Sequence, residues 1–135
     1  MTILGIDYGE KRIGLALADP KSGAVWPYEV LGNAGGEAVI KRLREVAALE
    51  NVSEIVVGIP LALSGKEGSA AKIARTFGES IAAALSLPVA FVDERFTSAE
   101  AKHTAEQFGA EKLDAVAAAL ILKTYLAKRE SENGI

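Results

Sequence analysis

The stretch Ile3–Ala18, ILGIDYGEKRIGLALA, decides the fold because it contains two apolar runs joined by a short polar turn. The first run ends at Asp7-Tyr8-Gly9, which is typical of a buried strand that stops at a turn. In the second run, Ile13–Leu17, large apolar residues alternate with small ones, as they do in a strand. The sequence therefore predicts an antiparallel hairpin whose turn holds Glu10-Lys11-Arg12.

After this hairpin, the sequence first predicts another strand, and the spacing of its apolar residues then changes to that of a helix. Val25–Val30 is predicted to be a third strand, and its Pro27 indicates an edge position. Apolar residues then recur with helical spacing over about Glu37–Glu50. Two further short apolar runs, Ile55–Ile59 and Pro88–Val92, are predicted to be strands.

The remaining segments are predicted to be helices. Thr97–Phe108 and Lys112–Lys128 are separated by Gly109, which favours two helices over one. Another helix lies between the fourth and fifth strands, and its apolar face is predicted to hold Ala70, Ile73, Ala74, Phe77, Ile81, Ala84 and Leu85. The order βββαβαβαα predicts an α/β protein: a mixed five-stranded sheet flanked by helices, with strands one, four and five parallel.

Length and composition limit the classes of protein that remain. The 135 residues fit one domain, 1–135, with about 129–135 as a frayed polar tail. The absence of cysteine excludes zinc–thiolate and iron–sulfur sites and suits the cytoplasm. No signal peptide and no membrane span are predicted. Because the net charge is −3, a nucleic-acid partner would be held by local Lys/Arg clusters or by metal ions.

Acidic residues follow the strands whose carboxyl ends should share one edge of the sheet. Asp7 closes the first strand, Asp93 and Glu94 close the fifth, and Asp114 lies in the first turn of the last helix. Ligands bind at such an edge. Carboxylates that converge without an obvious basic counterpart favour a Mg²⁺ or Mn²⁺ site, and a pair of such ions favours phosphodiester hydrolysis. Taken singly, each acid has a structural explanation: Asp7 forms a turn, Glu94 pairs with Arg95 on the surface, and Asp114 suits a helix start.

Several polar residues near this edge have both a structural and a functional interpretation. Ser64-x-x-Glu67 matches a capping box for the second helix, but Lys66 and nearby backbone amides could also hold a substrate phosphate. Glu10-Lys11-Arg12 forms the turn beside Asp7, and it is either solvated or in contact with a nucleic-acid backbone through residues such as Lys11. Thr97-x-x-Glu100 is a second capping box, and His103 is predicted to be a solvated helix residue.

Four blocks of the sequence occur in a specific order: Leu4–Ala16, Ile55–Leu61, Val92–Ala101 and Leu113–Leu122. Together they closely resemble the YqgF (RuvX) family. The resemblance implies a ribonuclease H-like fold, related to Holliday junction resolvases, and the members of the family are described as nucleases that process the precursor of 16S ribosomal RNA.

The resemblance implies roles for individual residues. It points to Asp7, Glu94 and Asp114 as catalytic acids that bind Mg²⁺ or Mn²⁺, with Asp7 bridging two ions. It also places Arg95 and the Ser64-Gly65-Lys66 loop near the substrate. Two departures from the family pattern are the short connection between Phe108 and Asp114 and the serine at Ser98.

The implied partner is nucleic acid, with RNA favoured. The alternatives are cleavage of four-way DNA junctions, which would favour a homodimer over a monomer, and a non-catalytic nucleic-acid-binding accessory factor. Three retained acids argue against the accessory factor, because carboxylates repel a phosphate backbone unless metal ions intervene.

Overall fold

The computed structural model describes residues 1–60, 68–94 and 113–132, and of Glu94 it describes the backbone alone. Several predictions fall outside these ranges: the loop with Ser64 and Lys66, the residue Arg95, and the helix Thr97–Phe108 with its capping box and His103. They remain predictions.

Three strands form the antiparallel meander that the opening sequence predicts. They are β1 (Thr2–Tyr8), β2 (Arg12–Ala18) and β3 (Val25–Gly32). The strand β3 lies at the edge of the sheet, as its proline indicates. Pro27 pairs with Ala16, next to an irregularity in the register.

Two parallel strands complete the sheet. They are β4 (Val52–Pro60) and β5 (Val89–Glu94), and the strand order is β3-β2-β1-β4-β5. The helices α1 (Gly36–Leu49) and α2 (Ser69–Leu85) provide the connections between β3, β4 and β5. The predicted mixed sheet with strands one, four and five parallel is confirmed.

The two faces of the sheet bury different helices. Leu4 and Ile6 of β1 pack in a core with residues of α1 and α2. Ile3, on the other face, packs with the third helix of the described chain, α3 (Leu113–Glu132). Because side chains of a strand alternate between faces, the odd positions of β1 face α3. Small residues on this face let the helix approach closely, and a Cβ at Gly5 would come within 2.8 Å of Leu122 Cδ1.

The predicted apolar face of α2 was wrong at two positions. Ala70 is exposed and Ile73 is 55% exposed, whereas Ala71 and Gly78 are buried. Alanine and glycine contribute little to the hydrophobic pattern of a helix. The buried face of α2 was therefore hard to distinguish from the adjacent face. Gly78 is buried because the ring of Phe91 packs directly on its backbone, and a Cβ there would lie 2.7 Å from Phe91 Cζ.

The described part of α2 begins at Ser69. Gly68 is its N-cap, and no side chain of the described residues caps the helix. The predicted capping box Ser64-x-x-Glu67 lies outside the described residues. Glycine is an acceptable N-cap, since it adopts the required backbone conformation at little cost.

The last helix is longer than the sequence predicted. It continues to Glu132, past the predicted end at Lys128. Arg129 contacts Glu54 at 3.3 Å, and its guanidinium lies 6.0 Å from the ring centroid of Tyr125. These contacts tie the final turns to β4. Within the described ranges, no helix has both the length and the apolar character needed to cross a bilayer.

Candidate metal and nucleic-acid site

The site lies at the edge of the sheet where the parallel strands end. Asp7 is the penultimate residue of β1, and β4 ends at Pro60. Pro60 pairs with Glu94, the last residue of β5. The structure therefore brings the backbones of Asp7 and Glu94 to the same edge, where ligands bind in open α/β sheets.

Gly14 brings the third predicted acid to this edge. In the register of β1 and β2, Gly14 stands opposite Asp7. A Cβ at Gly14 would overlap the carbonyl oxygen of Asp114 and lie 2.8 Å from the backbone nitrogen of Ala115. Only a glycine allows the first turn of α3 to rest on β2 in this way. Since directly opposed Cα atoms are about 4.5–5.5 Å apart, the start of α3 lies one strand away from Asp7.

The carboxylate of Asp114 has a basic partner, contrary to the expectation that the acids converge without one. Arg12 Nε donates a hydrogen bond to Asp114 Oδ2 at 2.8 Å. Residues two positions apart in a strand lie on the same face of the sheet. Arg12 is therefore on the face of Gly14, and Asp7 is on the face of Gly5. The side chains of Arg12 and Asp7 thus both face α3. The site on this face therefore combines two described carboxylates with one guanidinium.

The turn that carries Lys11 is fixed by a residue that sequence reasoning missed. Asn33 Nδ2 donates to the carbonyl oxygen of Gly9 at 2.9 Å, and the backbone nitrogen of Asn33 donates to the carbonyl oxygen of Lys11 at 2.9 Å. Lys11 itself is exposed. A possible signal was the position of Asn33 directly after β3 and before Gly35 and Gly36, since asparagine often bonds to a nearby backbone in turns.

A cavity of about 350 Å³ opens on the opposite face of the same edge. The ring of Tyr8 forms one wall and packs on Phe77 with centroids 4.2 Å apart. The other lining residues are Glu10, Asn33, Pro60, Ser69, Ala70 and Ile73. Ala70 and Ile73 are thus exposed on a concave surface that Tyr8 also lines, which helical periodicity did not predict.

The donor set fits a hard divalent cation. Asp7 and Asp114 supply carboxylate oxygens on one face of the edge, which are the ligands that Mg²⁺ and Mn²⁺ take. Within residues 1–60, 68–94 and 113–132, no three potential ligands of the His, Cys, Asp or Glu type form a complete cluster, and the side chain of Glu94 is not among those described. The assignment of the third ligand stays a prediction.

The fold defines the class of protein. It is ribonuclease H-like, as the sequence resemblance implies. The RuvC structure from Thermus thermophilus is similar with a TM-score of 0.63 at 16% identity, and the similarity covers 97% of both chains. The fowlpox virus Holliday junction resolvase is similar with a TM-score of 0.58 at 15% identity, over 98% of this chain and 99% of that one.

Sequence comparison identifies the family within that class. A family model described as "RuvX: Holliday junction resolvase" matches residues 1–128. A relative from Maridesulfovibrio salexigens named "Putative pre-16S rRNA nuclease" is 36% identical over 134 residues, covering 95% of this chain and 99% of the relative. One of the same name from Sulfurihydrogenibium sp. is 37% identical over 137 residues, covering 97% and 93%. The chain belongs to the RuvX family of nucleases, so the predicted membership is confirmed.

Proposed function

We propose that this protein is a metal-dependent nuclease of the cytoplasm that hydrolyses phosphodiester bonds in the precursor of 16S ribosomal RNA. One observation carries the catalytic part of the proposal. Gly14 lets the first turn of α3 rest on β2, which sets Asp114 beside Asp7 on one face of the strand ends. The RNA substrate is supported by the name that the curated relatives share.

The acids would hold the ions, and the neighbouring cations would hold the substrate. Asp7, Glu94 and Asp114 would bind Mg²⁺ or Mn²⁺. Such ions, when bound, activate a water for in-line attack and stabilise the leaving oxygen. Lys11 projects from the turn next to Asp7 and is exposed, so it can contact a phosphate. Lys66 and Arg95 are proposed for the same task, with Ser64 beside the substrate.

Charge also limits how the substrate is held. The whole chain is acidic, with a net charge of −3, so its surface as a whole does not attract a polyanion. Binding should therefore rest on the bound ions and on a small number of basic side chains. A weak dependence of affinity on salt would follow from so few phosphate contacts.

A second candidate is the cleavage of four-way DNA junctions. The family model carries this description, and the fowlpox virus resolvase has a similar fold, but the name that the curated relatives share favours the RNA substrate. Such cleavage needs two sites, so a homodimer would be expected, whereas processing of an RNA end needs only a monomer.

The test is a cleavage assay on three end-labelled substrates: single-stranded RNA with a 16S precursor end, single-stranded DNA, and a four-way DNA junction. Each is incubated with Mg²⁺, Mn²⁺ or chelator. We expect cleavage of the RNA with either ion, none with chelator, and none by Asp7→Asn, since an amide cannot supply the charge that holds the ions.

Asp19→Asn is the matched control, because Asp19 also lies near the end of a strand but accepts hydrogen bonds within its own turn, from Lys21 and Ser22. It should cleave at the wild-type rate. Cleavage by Asp7→Asn at that rate, or cleavage that survives chelation, would contradict the metal-dependent mechanism. If the protein cleaves the four-way DNA junction but not the RNA, the proposed RNA substrate is wrong and the junction is the substrate. If it binds RNA and cleaves none of the three substrates, the non-catalytic accessory factor is favoured.

A further inference from the structure

We infer that Arg12 and a divalent ion compete for the carboxylate of Asp114, so that Arg12 sets the metal concentration at which the site fills. This rests on the proposed metal site. It adds a role for a residue that the proposed mechanism does not use. Arg12 is here a positioning residue, because it acts on the metal through Asp114.

The contact itself indicates competition. Arg12 Nε bonds to one oxygen, Oδ2, of a carboxylate that faces the same side of the sheet as Asp7. An oxygen that accepts a charge-assisted hydrogen bond is a poorer metal ligand, because the guanidinium withdraws part of its negative charge. A guanidinium also repels a nearby dication, and arginine cannot relieve this by losing its proton. The ion pair and the metal therefore oppose each other at this carboxylate.

A second ion pair in the same protein shows what a structural arginine looks like. Arg42 donates two hydrogen bonds to Glu29, from Nε to Oε2 at 2.9 Å and from Nη2 to Oε1 at 2.6 Å. Arg12 makes one such bond, and its side chain is 65% exposed, compared with 30% for Arg42. Exposed single-bonded pairs add little to stability. The contact between Arg12 and Asp114 is therefore suited to exchange rather than to holding the fold.

Release of Arg12 has a consequence for the substrate. Arg12 is anchored at the first residue of β2, at the same edge as Asp7. When an ion takes Asp114, the guanidinium stays at this edge and becomes available to a phosphate, which it can bind with two parallel bonds. Metal binding thus frees a cation for the nucleic acid. By linkage, the two ligands should bind cooperatively through Arg12.

The test is Mn²⁺ binding, measured by titration calorimetry in the absence of substrate, on the wild type, Arg12→Ala, Arg12→Gln and Lys11→Ala. Lys11→Ala is the matched control, since it removes one positive charge from the same turn and Lys11 is exposed. We expect both Arg12 variants to bind Mn²⁺ about two- to fivefold more tightly, the range that an exposed ion pair allows. Lys11→Ala should change the affinity less.

RNA binding by the Mn²⁺-loaded proteins is the second readout. Both Arg12 variants should bind RNA more weakly than the wild type while they bind Mn²⁺ more tightly, and a merely structural role would weaken both. Circular dichroism confirms that each variant is folded. Unchanged or weaker Mn²⁺ binding in folded Arg12 variants would overturn the inference while leaving the metal site intact. If the wild type binds no Mn²⁺, or Asp7→Asn binds it equally well, the proposed metal site fails, and the inference fails with it.

Discussion

The substitution Gly14→Ala tests whether the packing of α3 on β2 positions the site. The added Cβ would overlap the carbonyl oxygen of Asp114 and lie 2.8 Å from Ala115 N. Both are backbone atoms, so no side chain can rotate to make room. The start of α3 would have to retreat by about 1 Å or more to restore ordinary contact distances. We expect a loss of about 1–3 kcal/mol in the free energy of unfolding, as in other overpacked cores.

Activity should fall further than stability suggests, because the retreat carries Asp114 away from Asp7. A displacement of about 1 Å can cost on the order of a hundredfold in rate. The measurements are urea unfolding and Mn²⁺-dependent cleavage under conditions where each variant is folded. Gly32→Ala is the control, since a Cβ there meets nothing within 4 Å. If Gly14→Ala matches Gly32→Ala in both stability and rate, the close approach does not position the site.

Two further predictions concern the dependence of stability on pH. Burial, together with the hydrogen bond to Glu54, raises the pKa of Tyr125 above its ordinary value near 10. The contribution of Tyr125 is therefore complete below about pH 10 and falls as the pH rises through the raised pKa, so Tyr125→Phe should flatten the alkaline loss in urea unfolding. The hydrogen bonds from Arg42 lower the pKa of Glu29, whose contribution is complete above its ordinary pKa of 4.5 and falls as the pH drops through the lowered value. Glu29→Gln should cost about 0.5–1 kcal/mol near neutral pH and less in acid, and an equal loss at both would contradict the ion-pair explanation.

Much of the sheet could be predicted from the sequence because strand period and turn chemistry are local. The hairpin around Glu10-Lys11-Arg12 and the edge position of β3 depend on residues within a few places of each other. The buried face of α2 was harder to predict. The face that includes Ala71 and Gly78 is distinguished from the adjacent face mainly by the sheet residues that pack against it. Local periodicity contains no information on the ring of Phe91, which selects glycine at position 78.

The site was predictable in part for the same reason. The carboxyl ends of parallel strands share an edge, so the order of elements alone places Asp7 near the end of β5. The ion pair of Arg12 with Asp114 joins residues 102 positions apart, and no pattern in the chain links them. Gly14 was read as a small residue of a strand, although its lack of a side chain is what lets Asp114 reach the site.

Because Asp114 lies on α3, the proposed site is complete only when this helix has packed on the sheet. Its carboxylate meets the rest of the site only after α3 has docked across a separation of 102 residues from Arg12. Under the proposed mechanism, a chain whose sheet has formed but whose α3 has not docked would lack one ligand of the metal site and would not cleave RNA. In a refolding experiment, the return of cleavage would therefore time the docking of this helix.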